Sequence, residues 1–95
     1  MRAYELVTIV NPEVDGEALS NIIDKVSKFI SEKGGSVDEV SQRGKRKLAY
    51  PLRKFREGNY VLARFNLEPE LVKRIEGEIQ SWEEVLRLLV IKVED

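Results

Sequence analysis

The sequence predicts an α+β fold in which two helices cover one face of a four-stranded antiparallel sheet. Three observations support this prediction. The chain has 95 residues, which is the size of one domain. Its apolar residues recur at alternate positions in some segments and at steps of three and four in others. The segments follow the order strand, helix, strand, strand, helix, strand, and we expect a single domain over residues 1–95.

The first strand is predicted over residues 2–10, where two alternating sets of side chains are both largely apolar. The sets are Tyr4, Leu6, Thr8 and Val10 on one side and Glu5, Val7 and Ile9 on the other. A strand with two apolar faces is typical of the centre of a sheet. Pro12 follows and ends the strand, because proline cannot donate a ladder hydrogen bond.

The first helix is predicted from Gly16 to Lys33, with Asp15 as its N-cap. Its apolar positions have helical spacing and form one buried stripe. They are Leu19, Ile22, Ile23, Val26, Phe29 and Ile30. Gly34 and Gly35 follow, and glycine readily takes the left-handed conformation in which many helices end.

The second strand is predicted to begin near Ser36 and to contain irregularities. Val37 and Val40 are out of phase for a strict alternation, which predicts a bulge or a sharp twist between them. Gly44 is predicted to interrupt the strand, which resumes over residues 47–52.

Pro51 indicates that this second strand lies at an edge of the sheet, where a missing N–H costs nothing. Exposed lysine and arginine side chains also protect an edge from pairing with other chains. Residues 53–58 are predicted to form the hairpin connection, and the third strand is predicted over residues 59–67. One face of this strand carries Val61, Ala63, Phe65 and Leu67, and the other carries Tyr60, Leu62 and Arg64.

The second helix is predicted to begin at Pro69, a residue favoured in the first turn, and to end near Gln80. The fourth strand is predicted over residues 85–93. Two helices and four strands in this order form the ferredoxin-like arrangement. Right-handed crossovers place the first and third strands in the centre of the sheet and the second strand at an edge.

The predicted sheet has a second apolar face that no helix covers. Leu6, Phe65, Leu88 and Val90 are expected to face the helices. The opposite face then carries Val7, Ile9, Tyr60, Leu62, Leu89 and Ile91. Because monomers seldom expose such a patch without a use, it is interpreted as a docking face for a partner protein or nucleic acid. An oligomer contact, or a wrong face assignment for one strand, is the alternative.

One segment of the chain is strongly basic and contains no acid. Its basic residues are Arg43, Lys45, Arg46, Lys47, Arg53, Lys54 and Arg56. The rest of the chain is net acidic, because the whole sequence has a formal charge of −1. Such asymmetry indicates a patch that binds a polyanion, and a solvated charged loop is the alternative.

The residue types exclude most enzyme classes. The chain has no Cys and no His, so it lacks a thiolate nucleophile, a histidine general base and an ordinary zinc site. The turn after the first strand lacks the glycine-rich phosphate loop that an acylphosphatase needs. We therefore expect no enzymatic activity, no metal and no cofactor. No stretch is apolar enough to span a membrane and no signal peptide is recognised, so we expect a cytoplasmic protein.

An RNA-recognition motif shares this topology and stacks bases on aromatic side chains of its third strand. Here the corresponding region, residues 58–63, offers Tyr60 and the first strand offers Tyr4, so most of the stacking platform is missing and RNA binding would rest on phosphate contacts. Tyr50 lies between the basic clusters and would either stack on a base or pack with its hydroxyl in water. The alternative function is a regulatory module that binds a small metabolite or self-associates through its sheet.

Several motifs resemble those of the bacterial small-subunit ribosomal protein number six family. They are Arg2-Ala3-Tyr4-Glu5, Asn11-Pro12, the run from Arg43 to Leu52, Lys54, and Gly58-Asn59-Tyr60. The most specific part of the run has Arg and Lys pairs followed by Leu-Ala-Tyr-Pro. The resemblance covers almost the whole chain, through Lys92.

The resemblance implies the ferredoxin-like fold and a non-enzymatic role without a small-molecule substrate. It implies binding to the central domain of the small-subunit ribosomal RNA together with small-subunit protein number eighteen. The matching RNA contacts would be Arg2, Arg46, Lys47, Lys54, Arg87 and Lys92, to which the charge pattern adds Lys45, Arg53 and Arg56. The partner-protein face would comprise Val7, Ile9, Tyr50, Tyr60, Leu62, Leu89 and Ile91. Many family members continue past the fourth strand, so any contact made by such a tail is in doubt because this sequence stops at Asp95.

Overall fold

The computed structural model describes residues 1–93 and contains the predicted elements in the predicted order. The strands are β1 (Arg2–Val10), β2 (Ser36–Leu52), β3 (Phe55–Leu67) and β4 (Val85–Lys92). The helices are α1 (Gly16–Glu32) and α2 (Val72–Gln80), and a 3₁₀ turn at Pro69–Leu71 leads into α2. No helix within residues 1–93 is long and apolar enough to cross a membrane.

The four strands form one antiparallel sheet in the order β2-β3-β1-β4. The first and third strands are therefore central and the second lies at an edge, which confirms the predicted ferredoxin-like α+β fold. The register is continuous along the central pair, from Arg2 opposite Leu67 to Val10 opposite Asn59.

The core lies between the helices and one face of the sheet. Every second residue of β1 is buried, from Tyr4 to Val10, as the alternation predicts. The α1 stripe contributes Leu19, Ile22, Val26 and Ile30, and β3 contributes Val61, Ala63, Phe65 and Leu67. Burial of one such aliphatic or aromatic side chain contributes about 1.5–3 kcal/mol, so this layer is the main source of stability.

Both ends of α1 lie where the sequence predicts them. Asp15 occupies the N-cap position with extended backbone, as predicted, although its side chain makes no capping hydrogen bond. At the other end Gly34 has φ +88°, and Gly35 N–H donates to the Ile30 carbonyl at 3.0 Å. This geometry closes the helix and turns the chain into β2.

Strand β2 is irregular, as predicted, but it is not interrupted. The register against β3 shifts between Val37 and Glu39, which confirms the bulge expected before Val40. A second shift leaves Arg43 as an extra residue beside Gly44, which has φ +87°. The strand absorbs the glycine as a bulge because the hydrogen bonds to β3 continue on both sides of it.

The predicted hairpin connection over residues 53–58 is wrong. The turn consists of Arg53 and Lys54 alone, and Leu52 pairs directly with Phe55. Both turn residues have positive φ, 47° and 73°, as a tight hairpin turn of the mirror-image type requires. The expectation failed because such turns usually contain Asn or Gly, and here two basic residues adopt that conformation.

Candidate nucleic-acid and protein interface

The face of the sheet opposite the helices, here called the open face, is largely apolar. Its central part is formed by Val7, Ile9, Tyr60, Leu62, Leu89 and Ile91, as the alternation predicts. Val7 stands between Leu62 and Leu89 in the register, so one apolar row crosses three strands. Leu89 is 55% exposed and Ile91 is 46% exposed.

Beyond the end of β1, the β2–β3 hairpin continues as a two-stranded projection of residues 47–57, here called the hairpin arm. The arm crosses the end of the open face and reaches the far edge of the sheet. Arg53 at its tip donates a hydrogen bond from Nη1 to the Glu83 carbonyl, at 3.2 Å. Arg87 of β4 donates from Nη1 to the Tyr50 hydroxyl. Two contacts therefore hold the arm across the sheet.

Gly58 marks the place where the arm meets the sheet. A Cβ at this position would clash with Cγ2 of Ile9 and would touch Leu48 at 3.8 Å. The glycine is buried although its neighbours in the arm are exposed. Because residue 58 has no side chain, the arm can pack closely against Ile9 of the open face.

A groove of about 280 Å³ lies between the arm and the open face. Its lining includes Val7, Ile9, Leu48, Leu52, Tyr60 and Leu89. The Arg87 and Tyr50 side chains also line it, so a hydrogen-bonded polar pair borders an otherwise apolar groove. The groove is large enough for one bulky apolar side chain of a partner.

The open face is basic at the end nearest the arm. The Arg46 guanidinium lies 5.7 Å from the centroid of the Tyr60 ring. Arg46 Nε also donates to the Arg43 carbonyl at 3.4 Å, and both arginines line a shallow depression beside Val7 and Leu62. Stacking of this kind orients a guanidinium without neutralising it, so it remains available to an anion.

The opposite end of the open face is mixed in charge. Arg64 Nε lies 3.5 Å from a Glu5 carboxylate oxygen, and Glu39 stands opposite Arg64 in the register. Because these acids are beside an arginine, the face changes along its strands from basic near the arm to balanced at the far end.

The nine basic residues predicted to contact RNA fall into separate groups. The open face and the arm carry Arg46, Lys47, Arg53, Lys54, Arg56 and Arg87, and Lys45 lies next to them on β2, opposite Asn59; all seven are exposed. Arg2 and Lys92 lie at the other end of the sheet, where they line a polar cleft with Asn66 and Glu68. The Met1 amino group lies 3.6 Å from the Glu68 carboxylate in that cleft.

The structure adds three residues that the sequence did not predict as part of the site. Arg43 shares the depression beside Arg46, because the bulge at Gly44 places it there. Leu48 and Leu52 form the far wall of the groove. Their signal was present in the sequence, since apolar residues inside a basic run indicate a segment that packs on one side.

The acidic side chains of residues 1–93 are dispersed. Within the described part of the chain, no group of three or more His, Cys, Asp or Glu side chains is placed to hold a metal ion.

Comparison with known proteins gives consistent similarity along the chain. The family model described as Ribosomal protein S6 matches residues 3–92. The small ribosomal subunit protein bS6 of Moorella thermoacetica is 36% identical over 95 residues, covering 100% of this chain and 97% of that protein. The bS6 protein of Clostridium novyi is 40% identical over 94 residues, covering 99% of each chain.

Solved structures show the same fold. The crystal structure of 30S ribosomal protein S6 from Thermotoga maritima superposes with a TM-score of 0.88 at 31% identity, covering 97% of this chain and 87% of that one. The C-terminal domain of the MgtC protein from Mycobacterium tuberculosis superposes with a TM-score of 0.68 at 11% identity, and covers 99% of this chain and 89% of that one. The second similarity concerns the fold alone.

Proposed function

The chain belongs to the ribosomal protein S6 family, and from this premise we propose that it binds the central domain of the small-subunit ribosomal RNA together with small-subunit protein number eighteen. Membership makes the chain a structural, non-enzymatic component of the small ribosomal subunit in the cytoplasm. What we propose beyond this role is the identity of the RNA region and of the protein partner.

The observation that carries the proposal is an apolar open face with arginines along one end. An apolar patch favours a protein partner, and unpaired guanidinium groups favour phosphates. Arg43 and Arg46 line a depression together with Val7 and Leu62, which belong to the apolar row that crosses the sheet. Both ligands are therefore expected to meet at one boundary, where each would limit the access of water to the other's contacts.

The RNA is assigned to the basic end of the open face and to the hairpin arm. Arg46, Lys47 and Lys54 are exposed and make no salt bridge to an acid within residues 1–93. Charges of this kind contact phosphates and contribute affinity that falls with salt, without reading sequence. RNA recognition would then depend on the shape of the folded RNA.

The cleft at the other end of the sheet is proposed as a second RNA contact. Arg2 and Lys92 line it together, and the acid within it, Glu68, is also near the Met1 amino group. Positive charge therefore exceeds negative charge in the cleft. The two regions lie at opposite ends of the nine-residue strand β1, which rises about 3.3 Å per residue. They would therefore touch different parts of the RNA.

The protein partner is assigned to the rest of the open face and to the groove beneath the arm. Tyr50, Leu89 and Ile91 are 55%, 55% and 46% exposed, which is unusual for large side chains of these types. The groove of about 280 Å³ would take an anchoring side chain of the partner, and such anchors supply most of the energy of an interface.

The experiment is a titration with a central-domain RNA fragment, with and without the partner, at two salt concentrations. We compare wild type with a triple variant of the arm and the adjoining end of the open face, Arg46→Ala, Lys47→Ala and Lys54→Ala. The expected result is partner-dependent binding whose salt slope falls by about 0.9 for each phosphate contact removed.

A second triple variant serves as the matched control. Lys28→Ala, Lys73→Ala and Arg74→Ala remove the same charge from exposed positions on the helices. This variant is expected to bind RNA almost as wild type does. Absence of RNA binding with the partner present, or equal loss in both triple variants, would refute the assignment to the arm.

A further inference from the structure

The outer edge of β4 has backbone groups without a strand partner. This strand pairs with β1 on one side only. Val93 N–H donates inward to the Ala3 carbonyl at 3.0 Å, whereas Leu88 N–H donates to the Gln80 side-chain Oε1 at 3.2 Å. Backbone groups of a strand alternate in direction, so the even-numbered residues of β4 point to the free edge.

Gln80 covers the first part of this edge. Its Nε2 donates to the Leu86 carbonyl at 3.4 Å while its Oε1 accepts from Leu88. The side-chain amide thus takes the place of a neighbouring strand at these two residues. The outward groups of Val90 and Lys92 lie beyond its reach and have no strand partner within residues 1–93.

The two edges of the sheet differ in how they resist pairing. The β2 edge has bulges, Pro51 and a series of lysines and arginines, which are the usual protective devices. The β4 edge from Leu89 onward has no proline and no register shift against β1. Its side chains include exposed apolar residues: Leu89 at 55%, Ile91 at 46% and Val93 at 37%.

From this geometry we infer that β4 pairs antiparallel with β4 of a second copy of the chain. Because Gln80 lies at Leu88, the pairing involves the five residues 89–93. A two-fold pairing of that segment centres on Ile91. Ile91 then faces Ile91 of the second copy, Leu89 faces Val93, and Val90 faces Lys92.

This register pairs apolar side chains with one another and uses the backbone groups that point to the free edge. It places the three exposed apolar residues of the edge opposite one another on the open face, where cross-strand apolar pairs are favourable. Val90 and Lys92 exchange hydrogen bonds that use only their unpaired outward groups. A register centred on Lys92 would place two lysines face to face, and one centred on Leu88 would displace Gln80.

A pairing of five residues buries little area, so the dimer is a weak one that depends on protein concentration. It does not rest on the proposed RNA binding, and it concerns the free protein. Lys92 also belongs to the proposed RNA contact, and Leu89 and Ile91 to the proposed partner-protein face, so all variants are measured without RNA and without the partner.

The first test removes one backbone donor. Lys92→Pro deletes the outward N–H, and a proline costs little at an edge position of this kind. Lys92→Ala keeps the N–H and serves as the control. Sedimentation equilibrium of the full chain is expected to give a dimer for wild type and for Lys92→Ala, and a dissociation constant at least about tenfold weaker for Lys92→Pro.

The second test addresses the register. One variant carries Leu89→Lys and Val93→Lys, and the other carries Leu89→Glu and Val93→Glu. Each variant alone sets like charges opposite each other and is expected to be monomeric, whereas their mixture pairs lysine with glutamate and restores the dimer.

Slower amide exchange at Val90 and Lys92 with rising protein concentration would support the pairing directly. A wild-type chain that remains monomeric at millimolar concentration would overturn it. So would a Lys92→Pro variant that associates as strongly as Lys92→Ala, because the contact would then involve the open face and not the edge.

Discussion

The two faces of the sheet follow the same alternation of residues and reach different environments. On the helix-covered face, Leu6 and Phe65 are at most 1% exposed. On the open face, Leu89 is 55% exposed although it is as apolar as Leu6. Alternation in the sequence therefore identifies two apolar faces, but only the face on which the two helices pack becomes core. The uncovered face is the one proposed above to meet the neighbours of the protein in the ribosome.

The largest expected difference between the faces is in stability. Phe65→Ala leaves a cavity in the core and is expected to lower the free energy of unfolding by about 3–5 kcal/mol. Leu89→Ala removes an exposed side chain and is expected to change it by less than about 0.5 kcal/mol. Urea unfolding of the two variants measures both values. Similar losses would mean that the open face also belongs to the core.

Gly58 tests a place where the open face is tightly packed. Gly58→Ala would force its Cβ against Ile9 and is expected to destabilise the fold by about 1–3 kcal/mol. Gly77→Ala is a suitable comparison, because no atom lies within 4 Å of the added Cβ in α2. It should stabilise slightly, by up to about 1 kcal/mol. Equal thermal stability of the two variants would contradict the crossing of the arm over Ile9.

A smaller effect is expected for a single charge at the basic end of the open face. Arg46→Ala should leave stability unchanged and lower the salt slope of RNA binding by about 0.9, the contribution of one phosphate contact. Arg74→Ala, on α2, provides the control for loss of one positive charge. An unchanged slope in the Arg46 variant would remove this residue from the RNA interface.

The smallest expected effect concerns the contacts that hold the arm. Tyr50→Phe removes the hydroxyl that accepts from Arg87, and because both side chains are exposed the cost in stability is below about 1 kcal/mol. The arm should then exchange its backbone amide protons faster, while β1 amides keep their rates. Arm exchange identical to that of wild type would show that the contact does not restrain the arm.

Much of the fold was predictable because simple patterns governed it. Tyr4 to Val10 alternate without a break, and Pro51 correctly indicated an edge. The bulge before Val40 was visible as a change of phase. These features depend on neighbours close in sequence, which is where patterns of hydrophobicity are informative.

The remaining features depend on contacts between distant residues. The turn at Arg53 and Lys54 takes a conformation that its residue types do not favour. The arm reaches Glu83 by a contact across 30 positions of sequence, and Gln80 covers an edge that no pattern reveals. The division of the predicted RNA-binding residues into two regions also depends on the fold. Arg2 and Arg46 lie at opposite ends of the sheet, and their positions in the sequence do not indicate this.

The most direct test of the central claim compares one position on each side of the molecule. The chain has no cysteine, so Leu89→Cys on the open face and Lys28→Cys on α1 each introduce a single thiol. Alkylation rates are measured for the free protein and for the protein assembled into the small ribosomal subunit. We predict that assembly protects the thiol at residue 89 and leaves the thiol at residue 28 reactive. Protection at residue 28 with free reaction at residue 89 would show that the helices, and not the open face, meet the neighbours.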